Sequence, residues 1–298
     1  MPTEVAKERT LRGLTGWEPV QARGATLVPD LDDPFFFDHP LDHVPGMLLV
    51  TGLLDLVLGG VVGSGGRVRT ALWFPRFCEL DEPVELRACP AAGGTWSVLA
   101  TGGGEAVCLG TVSVRLDDPE FGVESRDGTA RTHETADEAA GAGAADPTPA
   151  AGRLVHRERP ENVLVAEVCI DPDRRRRAAV LSSPRPDHFF SRSGLLRRPE
   201  ELIEAARQAT IMRALTDYEW PADTRFSLNQ LRADLPATVD REAPLVLQWS
   251  PVAPPGRTAH CRIDLVGAGA GSRPTGRVVI DTQRWTGREW RQIRSRRR

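Results

Sequence analysis

Two Asp-His pairs stand close together in the segment Phe35 to Leu49, FFFDHPLDHVPGMLL: Asp38-His39 and Asp42-His43. An imidazole titrates near neutral pH, so a positioned histidine can take a proton from a substrate and return it. Pro45-Gly46 and the apolar run behind them read as the start of a helix, whose first N–H groups attract a developing oxyanion. Gly46 lets a substrate approach the backbone closely. The plain reading of the same residues is that both histidines only hydrogen-bond loop carbonyls. A second cluster lies in IEAARQA (Ile203–Ala209). Glu204, Arg207 and Gln208 fall at i, i+3 and i+4, so they share one helix face. A carboxylate beside a guanidinium stays ionised, which suits a base or an anion clamp. The plain reading is a surface pair worth about 0.3–0.5 kcal/mol.

Other signals are weak. Gly59-Gly60 with Gly63-Ser64-Gly65-Gly66 lacks the Gly-Lys-Ser/Thr ending of a phosphate loop. No Gly-x-Ser-x-Gly elbow supports serine hydrolase chemistry. Arg174–Arg177 and Arg294–Arg298 are basic runs that could meet an acidic carrier protein, or read plainly as a solvated turn and a frayed terminus.

The elements that must position these residues follow from the hydrophobic pattern. A short β entry (Val20–Leu27), a loop to Pro45 and an apolar helix (Gly46–Leu58) lead into strands at Val68–Phe74, Val84–Cys89, Trp96–Thr101 and Ala106–Leu116. The order then repeats: strands Val163–Ile170 and Arg177–Leu181, a more amphipathic helix Pro199–Asp217, and strands Phe226–Leu231, Leu245–Ser250, Ala259–Val266 and Val278–Trp285. Between them, residues 127–152 are Ala, Gly, Thr, Pro and acidic side chains, the composition of a solvated linker. The expected organisation is a repeat over 1–126, the linker, and a repeat over 153–298. One helix wrapped by an antiparallel sheet, twice over, is an α+β architecture that pairs with itself inside one chain.

Composition narrows the function. The 298 residues carry 38 Lys+Arg against 41 Asp+Glu, a net charge of −3 that removes a general nucleic-acid-binding role. Five scattered cysteines without C-x-x-C spacing disfavour a disulfide scaffold or a zinc site and fit a reducing cytoplasm. The N-terminus lacks the apolar core of a signal peptide. Gly46–Gly63 approaches a membrane span in length, but Asp55 near its centre would cost about 2.5–3.5 kcal/mol there, so a buried helix is expected and no membrane contact.

FFFDHPLDHVPGM resembles the signature of the A-factor biosynthesis (AfsA-type) hotdog family, γ-butyrolactone synthases of bacterial specialised metabolism. LVHRERPENVLV (Leu154–Val165) and IEAARQA extend the likeness to the second half, with the repeat order reversed. More distantly, His-Pro…Pro-Gly before an apolar helix resembles the hotdog hydroxyacyl-thioester dehydratases. The resemblance implies a double hotdog without metal or redox cofactor. Its expected activity is transfer of a β-ketoacyl group from an acyl carrier protein, or a CoA thioester, to a small phosphorylated alcohol. Where the family carries E-A-A-R-Q on the helix behind Pro-Gly-Met, the resemblance places Thr51 at the glutamate position and Leu54 at the arginine position.

In such a pair of repeats a loop histidine of one faces a helix carboxylate of the other. His39, Glu204 and Arg207 are the implied catalytic set, with Asp38, His43, Gly46 and Gln208 around the substrate. The reciprocal site would hold His188 opposite Thr51, with Asp55 one turn along, and is expected to be degenerate. The alternatives are dehydration or isomerisation by His39 and Glu204, and acyl-chain binding without catalysis. Self-association beyond the internal pair is left open.

Overall fold

The computed structural model of the chain describes residues 21–59, 66–115, 147–181, 187–221, 223–252, 254–268 and 273–295. In chain order the first half forms β1 (Arg23–Leu27), α1 (Gly46–Leu58), β2 (Arg67–Trp73), β3 (Val84–Pro90), β4 (Thr95–Gly102) and β5 (Glu105–Arg115). The second half forms α2 (Gly152–Val155), β6 (Cys169–Ile170), β7 (Arg176–Ala179), β8 (Leu196–Arg197), α3 (Pro199–Thr216), β9 (Arg225–Pro236), β10 (Val239–Asp240), β11 (Leu245–Trp249), β12 (Thr258–Gly267), β13 (Pro274–Trp285) and α4 (Gly287–Ser295). β8 and β10 make a small separate pair.

The other strands form one eleven-stranded sheet in the order β1-β3-β4-β5-β2-β9-β13-β12-β11-β7-β6. Its centre is the antiparallel seam of β2 on β9, running from Arg67↔Pro236 to Trp73↔Gln230. Outward from that seam the two halves repeat the same strand order, with β6 an additional edge strand in the second, and in each a helix precedes the seam strand in the chain. This is the α+β double hotdog, closed into a single sheet by the β2–β9 ladder.

Both long helices are buried against the sheet. Along α1, Met47, Leu49, Val50, Leu53, Leu54, Val57 and Leu58 are buried and Asp55 reaches solvent. A helix apolar on nearly every side belongs inside a sheet's concave face.

α3 departs from the amphipathic helix expected. From Pro199 to Ala214 every residue except Arg207 is buried. The burial is tolerated because its charges are matched by ion pairs: Arg241 grips Glu201 at 2.6 and 2.8 Å, and Arg198 reaches Glu200 at 3.0 Å. The buried face is therefore polar as well as apolar, which a hydrophobic periodicity cannot register.

Three further boundaries differ from the expectation. Val163–Ile170 is a strand only at Cys169–Ile170; Leu164 donates its N–H to Gln208 Oε1 (2.9 Å), and Val165 and Ala166 make isolated bridges to Val180 and Pro149. Residues 127–146 of the expected linker lie outside the described residues, as do 60–65; Pro149 already pairs with Ala166, and α2 begins at Gly152. The expected frayed tail is helix α4 as far as Ser295.

Candidate functional site

The segment from Asp33 to Pro45 crosses from its own repeat onto the other one. Its carbonyls dock on the second repeat: Arg157 Nη1 donates to Phe35 O at 2.6 Å and Asn162 Nδ2 to Pro34 O at 2.7 Å. The Arg157 guanidinium also lies over the Phe35 ring, 4.5 Å from its centroid. This docking fixes Asp38 and His39 at the repeat interface.

His39 Nδ1 is 2.6 Å from Asp38 Oδ1. The other carboxylate oxygen faces Asn162 Nδ2 at 3.3 Å and Arg157 Nη1 at 3.5 Å. Burial by itself would raise the Asp38 pKa, but the hydrogen bond from His39, the charge of Arg157 and the bond from Asn162 together hold it below its ordinary value. An ionised Asp38 requires the proton on Nδ1, leaving Nε2 as the acceptor. His39 lines a cavity of about 480 Å³.

Gly46 at the α1 N-terminus, Arg207, His156 and Arg225 line the same cavity. α1 has no side-chain cap, its N-cap being Pro45; Leu48 N and Leu49 N donate to Pro45 O, and the Gly46 and Met47 N–H groups precede them at the helix start. Phe74, Phe77, Phe226, Leu228 and Trp290 contribute to the cavity's apolar surface.

Glu204 sits behind this cavity and contributes nothing to its lining. It is 0 % exposed and accepts from Arg157 Nη2 (2.7 Å), Arg207 Nε (2.7 Å) and Nη2 (2.8 Å), and Gln208 Nε2 (3.0 Å). Burial would raise its pKa, but the charges of Arg207 and Arg157 outweigh it and bring the carboxyl down to about 2. His39 and Glu204 are therefore connected through Asp38 and Arg157, without the direct confrontation that the resemblance implied. Gln208 is also committed to structure, since it spans Asn162 O (2.8 Å) and the Leu164 N–H.

The second Asp-His pair serves a different neighbour. Asp42 Oδ1 holds His43 Nδ1 at 2.7 Å, while Oδ2 accepts from Trp290 Nε1 at 3.0 Å and meets Arg294 Nε at 3.2 Å. His43 packs against Phe77 (4.9 Å) and Trp290 (5.6 Å) and also lines the cavity. The pair fastens α4 to the loop that carries His39.

The reciprocal residues do not assemble in the same way. His188 lines a separate cavity of about 130 Å³ that has neither Thr51 nor Asp55 among its walls. Its ring packs on Phe35 (5.1 Å) and Phe190 (5.7 Å), and its Nδ1 accepts from Phe190 N at 3.2 Å. Burial, followed by the charges of Arg157 and Arg241, lowers its pKa to about 4. The Thr51 hydroxyl is buried without a partner, and Asp55 pairs with Arg198 at 3.1 Å, joining α1 to the N-terminus of α3.

Arg157, Asn162, His156 and Trp290 were not singled out from sequence. The first three lie in LVHRERPENVLV, which carried the family likeness but no assigned roles. α4 had a local signal. Thr286 and Glu289 form a capping box, with Thr286 N donating to Glu289 Oε2 (2.9 Å) and Glu289 N to Thr286 Oγ1 (3.2 Å). Among the described residues no three His, Cys, Asp or Glu side chains converge as a metal site would, and no helix is long and apolar enough to cross a membrane.

Residues 140–283 match the A-factor biosynthesis hotdog domain (AfsA) family. No curated protein sequence matches the chain. Among solved structures, the dehydratase domain of the polyketide PpsC from Mycobacterium tuberculosis superposes with a TM-score of 0.56 at 13% identity, over 89% of this chain and 94% of that one. The dehydratase domain from the CurJ module of curacin polyketide synthase gives 0.54 at 11% identity, over 90% and 93%. A thioesterase-titled structure from Novosphingobium aromaticivorans gives 0.55 at 12%, over 88% and 95%. At such identities these likenesses establish the double-hotdog fold.

Proposed function

We propose, from the A-factor biosynthesis hotdog domain matched over residues 140–283, that this chain is an acyltransferase. It moves an acyl group from a carrier-protein or CoA thioester to the hydroxyl of a small phosphorylated alcohol. The observation that carries the reading is the Asp38–His39 pair opening on a cavity that Gly46 and Arg207 also line, with Glu204 sealed behind it.

The chemistry follows from that arrangement. His39 Nε2 takes the proton of the acceptor hydroxyl as its oxygen attacks the thioester carbon. Asp38 steadies the imidazolium that forms. The backbone N–H of Gly46 receives the negative charge that collects on the carbonyl oxygen. Collapse of the adduct breaks the C–S bond, and the departing thiolate recovers the proton from His39. The products are an ester and a free thiol. Arg207 extends from the ion-paired cluster into the cavity as an anchor for an anionic acceptor.

Dehydration is disfavoured by the same geometry. Loss of water from a β-hydroxyacyl chain needs a second acid to protonate the departing hydroxyl. Glu204 does not reach the cavity and is held ionised by two arginines. Asp42, a carboxylate that does line it, is held ionised by its bonds from His43 and Trp290 and by the charge of Arg294. Glu204 and Gln208 thus act as positioning residues for Arg157 and Arg207. The His188 side, packed with phenylalanines, is proposed to be a site without turnover.

Incubation of the purified chain with β-ketoacyl and β-hydroxyacyl carrier-protein thioesters and dihydroxyacetone phosphate, read by mass spectrometry, distinguishes the outcomes. Ester formation that falls about 10²–10⁴-fold in His39→Ala supports acyl transfer by a histidine base. Loss of water with no ester makes the chain a dehydratase; thermal stabilisation by ligand with no product makes it a binding protein.

A further inference from the structure

We infer that His156 is a second donor to the thioester carbonyl oxygen, supplied by the second repeat to complete a site that Gly46 begins from the first. The inference rests on the acyl-transfer reading and adds a residue to it.

His156 ends α2 in the left-handed region, with φ 52°, and its backbone N–H closes on Gly152 O. A side chain other than Gly or Asn costs on the order of 1 kcal/mol in that conformation. The next residue also folds back, Arg157 N donating to Gly152 O at 2.9 Å, and a Cβ on Gly152 would stand 2.4 Å from Arg157 O. This tight reversal turns consecutive side chains apart: Arg157 goes into the Asp38–Glu204 ion network while His156 lines the cavity.

The ring lies against Phe226, centroids 5.2 Å apart, and neither ring nitrogen hydrogen-bonds to a described residue. Strand β9 relates it to Gly46. Phe226 and Leu228 are two residues apart on β9, so they point to one face roughly 7 Å apart. Gly46 packs on Leu228, a Cβ there standing 3.3 Å from Leu228 Cδ2. The imidazole and the α1 N-terminus therefore lie over adjacent side chains of one strand. A carbonyl oxygen between them meets a donor from each repeat.

The surroundings select the donor role. Burial, then the charges of Arg207 from α3, His39 from the docked loop and Arg225 from β9, lower the His156 pKa to about 4. At neutral pH the ring is uncharged. A ring so depressed is a weak base, yet it still carries one N–H to donate. Arg207 and Arg225 also favour negative charge where the carbonyl oxygen would develop it.

The test compares His156→Phe, which keeps a ring on Phe226 but removes the donor, with His156→Asn, which tolerates the left-handed backbone and keeps an amide donor. With 3-oxooctanoyl-CoA as donor and dihydroxyacetone phosphate as acceptor, His156→Phe is expected to lower kcat about 10²–10³-fold with KM within threefold. His156→Asn recovers at least tenfold of that loss, and melting curves confirm that both variants fold. A second readout needs no turnover: in the wild-type chain the ¹⁵N resonance of the His156 N–H shifts when the unreactive amide analogue of the donor binds. Wild-type failure to transfer, with that shift present, removes the transfer reaction and leaves the carbonyl contact standing. Full turnover by His156→Phe, an unshifted resonance with analogue bound, or no binding of the analogue overturns the inference.

Discussion

Removing the Glu204 carboxylate is the sharpest perturbation of the site's foundation. Glu204→Ala deletes the acceptor of four hydrogen bonds from Arg157, Arg207 and Gln208. Arg207 can turn into the cavity and recover water. Arg157 cannot, since its side chain is only 5% exposed and its remaining carboxylate, Asp38, stands at 3.5 Å. A buried charge that loses its partner costs about 3–5 kcal/mol, and the residual attraction of Asp38 places the expected loss near the lower end, about 3 kcal/mol. Urea unfolding at pH 7, followed by tryptophan fluorescence, reads this as a lower midpoint at unchanged slope. The double variant Arg157→Met/Glu204→Leu removes both charges and is expected to recover at least half of the loss, because the stranded ion is gone. A Glu204→Ala loss under 1 kcal/mol, or a double variant as unstable as the sum of its single changes, would refute the argument that this ion network holds the docked loop in place.

Two other predictions concern stability. His156 and His188 both titrate near pH 4 in the folded chain against 6.5 for an ordinary histidine. Their folded values are depressed, so the unfolded state binds the protons first. The stability is fully present above about pH 6.5 and is lost as pH falls toward 4, at about 2 kcal/mol per histidine by pH 5. Urea midpoints at pH 5 and 7 check this: the decline is expected to shrink in His188→Phe, and an equal decline in that variant would refute the assignment. Gly110 is held by a close approach rather than by the cavity, since a Cβ there would stand 1.9 Å from Ala71 O across the β2–β5 ladder. Gly110→Ala is expected to cost about 3 kcal/mol in the same assay, and a cost within 0.5 kcal/mol would mean that the ladder yields freely.

The repeated order of elements was legible because β2, β3, β4, β11 and β12 alternate and α1 is apolar on nearly every side, patterns that belong to single segments. The cluster in Phe35–Leu49 on which the proposed site rests was legible for the same reason, as Asp38, His39 and Gly46 are neighbours in the chain. Glu204 was legible as a partner of Arg207, three residues along one helix face, but its burial was not. Hydrophobic periodicity describes α3 as one-sided, whereas Arg157, Arg198 and Arg241, all outside the helix, neutralise its carboxylates and let nearly the whole surface be covered. The C-terminal helix had its capping box in plain view at Thr286 and Glu289, obscured by the run of arginines that reads as a solvated tail.

Local chemistry therefore determined which residues can ionise, which can turn and which strands alternate, since each depends on a side chain and its near neighbours along the chain. Which of the two histidine pairs is docked on the second repeat depended on groups brought from more than a hundred residues away. Arg157 and Asn162 draw Asp38-His39 to the interface, while Trp290 and Arg294 claim Asp42-His43 as a clasp for α4. The two pairs have the same composition, so tertiary electrostatics and packing, acting across the β2–β9 seam, assigned them different roles.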